Sequence, residues 1–340
     1  MKTLLHRALL MLAMVITLSA CSDQREMIHL NGSTMGTYYS IKLIKQEGLP
    51  PATDIQAEID RRLELVNDQM STYRKHSELS QFNQSRSSEP FEVSADTAKV
   101  VTEAIRLAKL TDGALDVTVG PIVNLWSFGP EARPEKTPTE QELAERRKVV
   151  GIHHLSVEGN SLIKDIPDLY VDLSSIAKGF GVDVVADYFD DLGVADYLVE
   201  IGGELSLKGN NLEGVPWRIA IEKPTEDGSR AIQEVIEPGD MAVATSGDYR
   251  NYFEEDGVRY SHLIDPNSGM PISNHVVSVT VLHPSSMTSD ALATAFSVMG
   301  EDKALALANQ EQIPLLLVVK TEQGFKEYIS DAFAPYMNQK

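Results

Sequence analysis

Beyond Met27 the apolar residues fall into two alternating rhythms. Thr37, Tyr39, Ile41 and Leu43 alternate with Tyr38, Ser40 and Lys42, the period of a strand with one buried face. After a turn at Gly48-Leu49-Pro50-Pro51 the period lengthens. Ile55, Ile59, Leu63, Val66 and Met70 recur every three to four residues, which predicts an amphipathic helix. Ser94 precedes a second helical run through Val100, Val101, Ala104, Ile105 and Ala108, ended by Asp112-Gly113. Thr137-Pro138-Thr139-Glu140 reads as a capping box with proline at the first helical position and predicts a third helix to about Val149. The stretch 128–138 holds three prolines and reads as a loop.

Strand patterns dominate the middle. Residues 169–173 read as a strand running into a helix over 175–189. Further strands are predicted at 197–201, 204–207, 217–222, 241–245, 258–264 and 276–282. A last long helix begins near Thr288, and strands at 315–319 and 325–330 follow. No regular βαβ alternation is present, so the expected class is α+β, with mixed, largely antiparallel sheets packed against helices.

The chain has 340 residues, 42 % of them hydrophobic, enough for a real core. Thirty basic against fifty acidic residues leave a net charge of −20. That field repels phosphate backbones and argues against nucleic acid as a partner. A small anionic ligand stays possible where a metal ion or helix N-terminus supplies local positive charge.

Residues 1–20 have the form of a signal peptide. Lys2 and Arg7 are followed by an apolar run over 8–18 and then by Leu18-Ser19-Ala20-Cys21, a bacterial lipobox. The alternative is an ordinary secretory signal with a chance cysteine. The expected organisation is a lipoprotein signal over 1–20, a polar tether over 21–27 and one domain over 28–335. Cys21 is the only cysteine, so its lipidation excludes disulfides and thiolate chemistry elsewhere. The expected location is the periplasmic side of the cell envelope, lipid-anchored. Ser22 favours the outer membrane over the inner.

Four segments could carry chemistry. The first is 170–181, where a strand ends near Asp172, small residues turn the chain, and Lys178, Gly179 and Gly181 open a helix. It is no dinucleotide fingerprint, because Val184 stands where a third glycine belongs and the glycines lie inside the helical pattern. In the second, Asp290 and Thr294 share a helix face one turn apart, a donor pair suited to Mg²⁺. The alternative there is an aspartate that stabilises the helix dipole. The third is 259–269, where alternation puts His262 and Ile264 on one side and Leu263 and Asp265 on the other. Asp265-Pro-Asn-Ser-Gly is turn chemistry, while His262 is either a strand histidine or a general acid/base. The fourth is Gly32-Ser-Thr-Met35-Gly-Thr37, which also reads as a hairpin bulge. The pair His153-His154 reads as a surface feature.

Taken together, eight segments in this order resemble the ApbE-type family of FAD:protein FMN transferases, from Gly32 to about Gly300. They begin at Gly32, Met70, Asp112, Val171, Ile201, Ala244, Ser261 and Asp290 and include Ile201-Gly-Gly-Glu204 and Ala244-Thr-Ser-Gly-Asp248. The resemblance implies a T-fold-like architecture. It implies FAD as substrate, with the isoalloxazine near Met35 and Tyr73 and with Ala114, Leu115, Asp116, Asp172, Lys178 and Ile264 along the rest. It implies Mg²⁺ on Asp290, Thr294 and a backbone carbonyl, here that of Ser175, and a histidine beside the diphosphate, here His262. Leu115 replaces a common phenylalanine, and Ser174-Ser175 a glycine/alanine pair. The implied reaction moves FMN from FAD to a threonine hydroxyl and releases AMP, with His262 as base and Asp265 available to orient it. Expected acceptors are flavin-carrying subunits of membrane redox complexes with a Ser/Thr-Gly-Ala-Thr segment. A Mg²⁺-dependent FAD diphosphatase and a non-catalytic flavin-binding lipoprotein are the alternatives.

The lipobox makes its own prediction. Cys21→Ser moves the protein from the membrane pellet to the soluble fraction on cell fractionation, while its action on FAD survives. A variant still firmly in the pellet would mean that Cys21 is not the anchor.

Overall fold

Eight strands form one antiparallel sheet whose order in space is its order along the chain. They are β1 (Met27–Thr34), β2 (Thr37–Ile44), β3 (Tyr197–Ile201), β4 (Glu204–Lys208), β5 (Ala242–Ser246), β6 (Val276–His283), β7 (Leu315–Thr321) and β8 (Gly324–Ile329). The computed structural model describes residues 25–129, 136–223, 231–247, 252–255 and 258–337. The signal sequence and Cys21 lie outside the described residues, as does Asp248.

Helices occupy the long connections. They are α1 (Ala52–Met70), α2 (Glu78–Gln84), α3 (Ala95–Leu110), α4 (Gly120–Leu125), α5 (Glu140–Arg147), α6 (Ala177–Asp191), α7 (Ser286–Met299) and α8 (Glu301–Gln310). Both faces of the sheet are covered, so its central strands are apolar on both sides. Val199, Ala244, Val281 and Leu317 face the side packed by α1, α6 and α7. Their neighbours Leu198, Val243, Leu282 and Leu316 join Trp217, Ile236 and Phe333 in a separate core on the other side. The α+β class expected from the pattern is the one observed. No described helix is long and apolar enough to cross a membrane.

Four local expectations are corrected. In residues 169–173 Leu169, Val171 and Leu173 are buried, but the segment joins no sheet. Asn83 of α2 takes the place of a neighbouring strand: its amide nitrogen donates to the Val171 carbonyl and its oxygen accepts from the Val171 N–H, both at 2.8 Å. Asp172 N–H then donates to the Val117 carbonyl at 2.7 Å. The capping box lies two residues later than expected. Thr139 caps α5 and Glu142 completes the box, while Thr137 bonds to Glu255 instead. The strand expected over 258–264 breaks after Ser261, whose hydroxyl accepts from Leu263 N–H at 3.2 Å. Lastly, Arg25 to Met27, read as the end of the tether, already belong to the body. Arg25 bonds to Asp196 and Asn211, and the Glu26 carbonyl accepts from Lys45 N–H at 2.7 Å.

Asn83 therefore sets the height of the segment that delivers Asp172 and Ser175. Asn83→Ala leaves both polar groups of the buried Val171 peptide unmatched, at a cost of about 2–4 kcal/mol. The expected result is a Tm lower by roughly 4–12 °C in a thermal melt. An unchanged Tm would show that Val171 finds other partners.

Candidate active site

Two helices meet at their N-terminal ends, and each caps the other. The opening of α7 has the Ser285 side chain at its own N-cap, and it also receives Asp183 from α6. The Asp183 carboxylate accepts from Ser286 N–H at 2.7 Å, Met287 N–H at 3.0 Å and the Ser285 hydroxyl at 2.7 Å. The opening of α6 has no side-chain cap of its own. Instead, Asp290 of α7 reaches across, and its Oδ2 accepts from Gly179 N–H at 2.9 Å. Asp290 thus stabilises an N-terminus, but not that of its own helix, as the dipole reading assumed. The exchange needs a close crossing. A Cβ on Gly179 would lie 2.2 Å from the Ser286 carbonyl oxygen and 2.8 Å from Asp290 Cβ.

Beside this crossing, two carboxylates share one lysine. Lys178 Nζ donates to Glu204 Oε1 at 2.8 Å and to Asp290 Oδ1 at 3.3 Å. Glu204 and Asp290 are each only 4 % exposed, and Glu204 Oε2 has no hydrogen-bond partner among the described residues. Burial and the Asp290 charge push the Glu204 carboxyl up to about 7, against the pull of Lys178. Burial also raises Asp290, with Lys178 and Gly179 N–H opposing. For Lys178 the balance is reversed. Burial disfavours its charge, but the two carboxylates outweigh that and hold its pKa above the ordinary lysine value.

These groups form one wall of a cavity of about 470 Å³, an ordinary volume for a small-molecule site. It lies at the end of the sheet where β3 turns into β4 and β5 leaves it. Ala114, Leu115, Asp116, Val119, Val123 and Ile264 also line it, as does Tyr73, which is 72 % exposed. Asp172, Ser175 and Lys178 come from the start of α6, and Asp290 and Thr294 from one face of α7. His262 lines it too, with its ring edge-on to Phe128 at a centroid separation of 6.3 Å. Because the strand is broken there, His262, Leu263 and Ile264 all reach the cavity, and the expected alternation fails.

Of the twelve expected site residues within the described chain, Met35 alone is not on the cavity wall. It occupies the left-handed region at φ 49° in the β1–β2 turn and packs against Gly181, where a Cβ would lie 2.7 Å from its methyl carbon. Two carboxylates are committed to backbone. Asp116 accepts from Thr118 and Ile152. Asp265 accepts from Asn267 and Ser268 N–H and so stabilises its turn. His153 and His154 stack on each other and are not among the residues that line the cavity.

A model of the ApbE family matches residues 35–317. The chain belongs to the ApbE family. A relative from Vibrio cholerae named FAD:protein FMN transferase is 63 % identical over 97 % of this chain and 99 % of its own. One from Escherichia coli K12 with the same name is 40 % identical over 92 % of this chain and 90 % of its own. The solved flavin transferase ApbE from Vibrio cholerae superposes with a TM-score of 0.87 at 63 % identity, covering 92 % of this chain and all of that one. The apo flavinyl transferase ApbE of Pseudomonas stutzeri gives 0.87 at 38 % identity, over 94 % of this chain and 99 % of that one.

Within this ApbE-family chain, sequence reasoning missed two residues of the site. Glu204 stood in a quoted segment without a role; its signal is a lone carboxylate opening a strand directly after Gly202-Gly203. Asp183 lies among the apolar residues of α6, and nothing local says that it caps another helix. As to metals, no group of three or more His, Cys, Asp or Glu among the described residues is arranged to hold an ion. A cation here would rest on the Asp290 carboxylate, the Thr294 hydroxyl, an oxygen of Ser175 and oxygens of its ligand. The donors suit a hard cation.

The crossing at Gly179 is the most sensitive point. Gly179→Ala forces α6 and α7 apart and breaks the Gly179–Asp290 hydrogen bond, with a stability loss of about 1–3 kcal/mol or more. The protein should melt earlier and lose FAD binding more than tenfold in equilibrium titration. Unaltered FAD affinity would show that the crossing tolerates a methyl group.

Proposed function

We propose that this protein is an FAD:protein FMN transferase that uses Mg²⁺ to move the FMN moiety of FAD onto a threonine hydroxyl of a target protein, with release of AMP. The observation that carries the reading is the convergence of His262, the Asp290–Thr294 face and the α6 N-terminus on one cavity, in a chain with relatives named for this activity.

The threonine oxygen attacks the phosphorus on the FMN side. A new P–O bond forms, the bond to the bridging oxygen breaks, and AMP leaves. The hydroxyl proton passes to His262, the only imidazole on the cavity wall among the described residues. Asp290, Thr294 and Ser175 would hold Mg²⁺, which when bound would supply charge neutralisation for the diphosphate and its leaving oxygen. Lys178 lines the same cavity, its charge shared with Glu204 and Asp290. The apolar lining of Leu115, Val119, Val123 and Ile264, with the exposed Tyr73, suits the flavin ring. Acceptors with a Ser/Thr-Gly-Ala-Thr segment, and a Cys21 lipid anchor on the periplasmic side of the envelope, belong to the same reading.

The deciding assay incubates the protein with FAD and Mg²⁺, with and without an acceptor domain. Flavin bound to the acceptor, with AMP released, is expected. Free FMN and AMP with or without acceptor would mean a diphosphatase, and intact FAD a binding protein. His262→Ala tests the base. Only neutral imidazole accepts a proton, so the wild-type rate falls on the acid side. The variant should bind FAD normally, lose that acid limb and run roughly 10²–10⁴-fold slower at neutral pH. An unchanged acid limb would assign the base to another group.

A further inference from the structure

We infer that Glu204 is a positioning residue that draws Lys178 off Asp290 when a divalent cation binds. The inference rests on the reading above that Asp290 holds the cation.

Asp290 has two oxygens with different fates. Oδ2 is held by Gly179 N–H at 2.9 Å. Oδ1 is the one Lys178 approaches, at 3.3 Å. Oδ1 is therefore also the oxygen left for a cation. An ammonium and a divalent ion cannot both sit on it, because their like charges repel in a buried site where water screens little. Lys178 must yield, and it needs an acceptor to yield to.

Glu204 is built to receive it. Its Oε1 already holds Lys178 Nζ at 2.8 Å, the shorter of the two contacts. Its Oε2 is buried and unpartnered among the described residues, a costly state for a carboxylate oxygen. A lysine carries three donors on a flexible stem, so one ammonium can serve both Glu204 oxygens. Asp172 offers no competing acceptor at its Oδ1, which already holds the amide and hydroxyl of Ser174. Glu204 itself is fixed at the start of β4, beside the Gly202-Gly203 turn. The hand-off completes the bonding of Glu204 and frees Asp290 Oδ1 in one movement.

The test is Mn²⁺ binding to the full chain without FAD, read from the loss of the free-ion electron paramagnetic resonance signal. Glu204→Asp keeps the charge but withdraws the acceptor by one methylene. It should weaken Mn²⁺ binding about tenfold. In a Lys178→Met background, where nothing has to be handed over, the same change should cost less than about threefold. Glu204→Gln should follow the same pattern with a larger first loss. Thermal melts without metal identify folded variants, and either Glu204 variant suffices. Wild-type affinity in folded Glu204→Asp, or equal losses with and without Lys178, would overturn the hand-off. Asp290→Ala separates the two readings: wild-type Mn²⁺ affinity there would remove the cation from Asp290 and leave nothing for Glu204 to assist.

Discussion

Everything at the site hangs on the exchange of caps between α6 and α7. A helix start leaves several N–H groups without partners, and here each helix supplies the carboxylate the other needs. Asp183 satisfies α7 and Asp290 satisfies α6. The pairing fixes both the distance and the rotation of the two helices. It thereby fixes Lys178, Asp290 and Thr294 relative to one another with little freedom left to loops. Glycine at 179 is what lets the backbones come close enough for it.

The same arrangement concentrates charge where burial makes charge expensive. Burial disfavours the ionised form of Glu204, Asp290 and Asp183 alike. Asp183 offsets part of that loss through three hydrogen bonds to the start of α7, though burial still prevails. Glu204 and Asp290 must divide a single lysine, and one oxygen of Glu204 stays unmatched. A core optimised for stability alone would not keep such a group.

Much of this was legible in the sequence because the sheet obeys local rules. Alternation at Tyr39, Ile41 and Leu43 located β2, and helical spacing from Ile55 to Met70 located α1. Asp290 and Thr294 were recognisable because their spacing alone puts them on one helix face. Failures came where the deciding partner is remote. Val171 and Leu173 are buried like strand residues, but their segment is held by the Asn83 side chain and not by a neighbouring strand. His262 looked like an alternating strand position, yet the Ser261 hydroxyl turns the chain just before it reaches the cavity. Met35 matched its segment in sequence, but its side chain is spent on Gly181. Glu204 gains its meaning only from Lys178, twenty-six residues away, and Asp290.

The order of strands carries one more consequence. Neighbours in the sheet follow one another in the chain, yet more than 150 residues separate β2 from β3. That loop must close before the β2–β3 pairing returns any contact energy, a topology that slows folding. The α6–α7 crossing joins residues more than 100 apart and waits for the later half of the chain. Until α7 docks, the start of α6 has no cap and Lys178 only one carboxylate. A chain cut short before α7 keeps most residues of the cavity wall but lacks Asp290 and Thr294, and with them the cap on the start of α6.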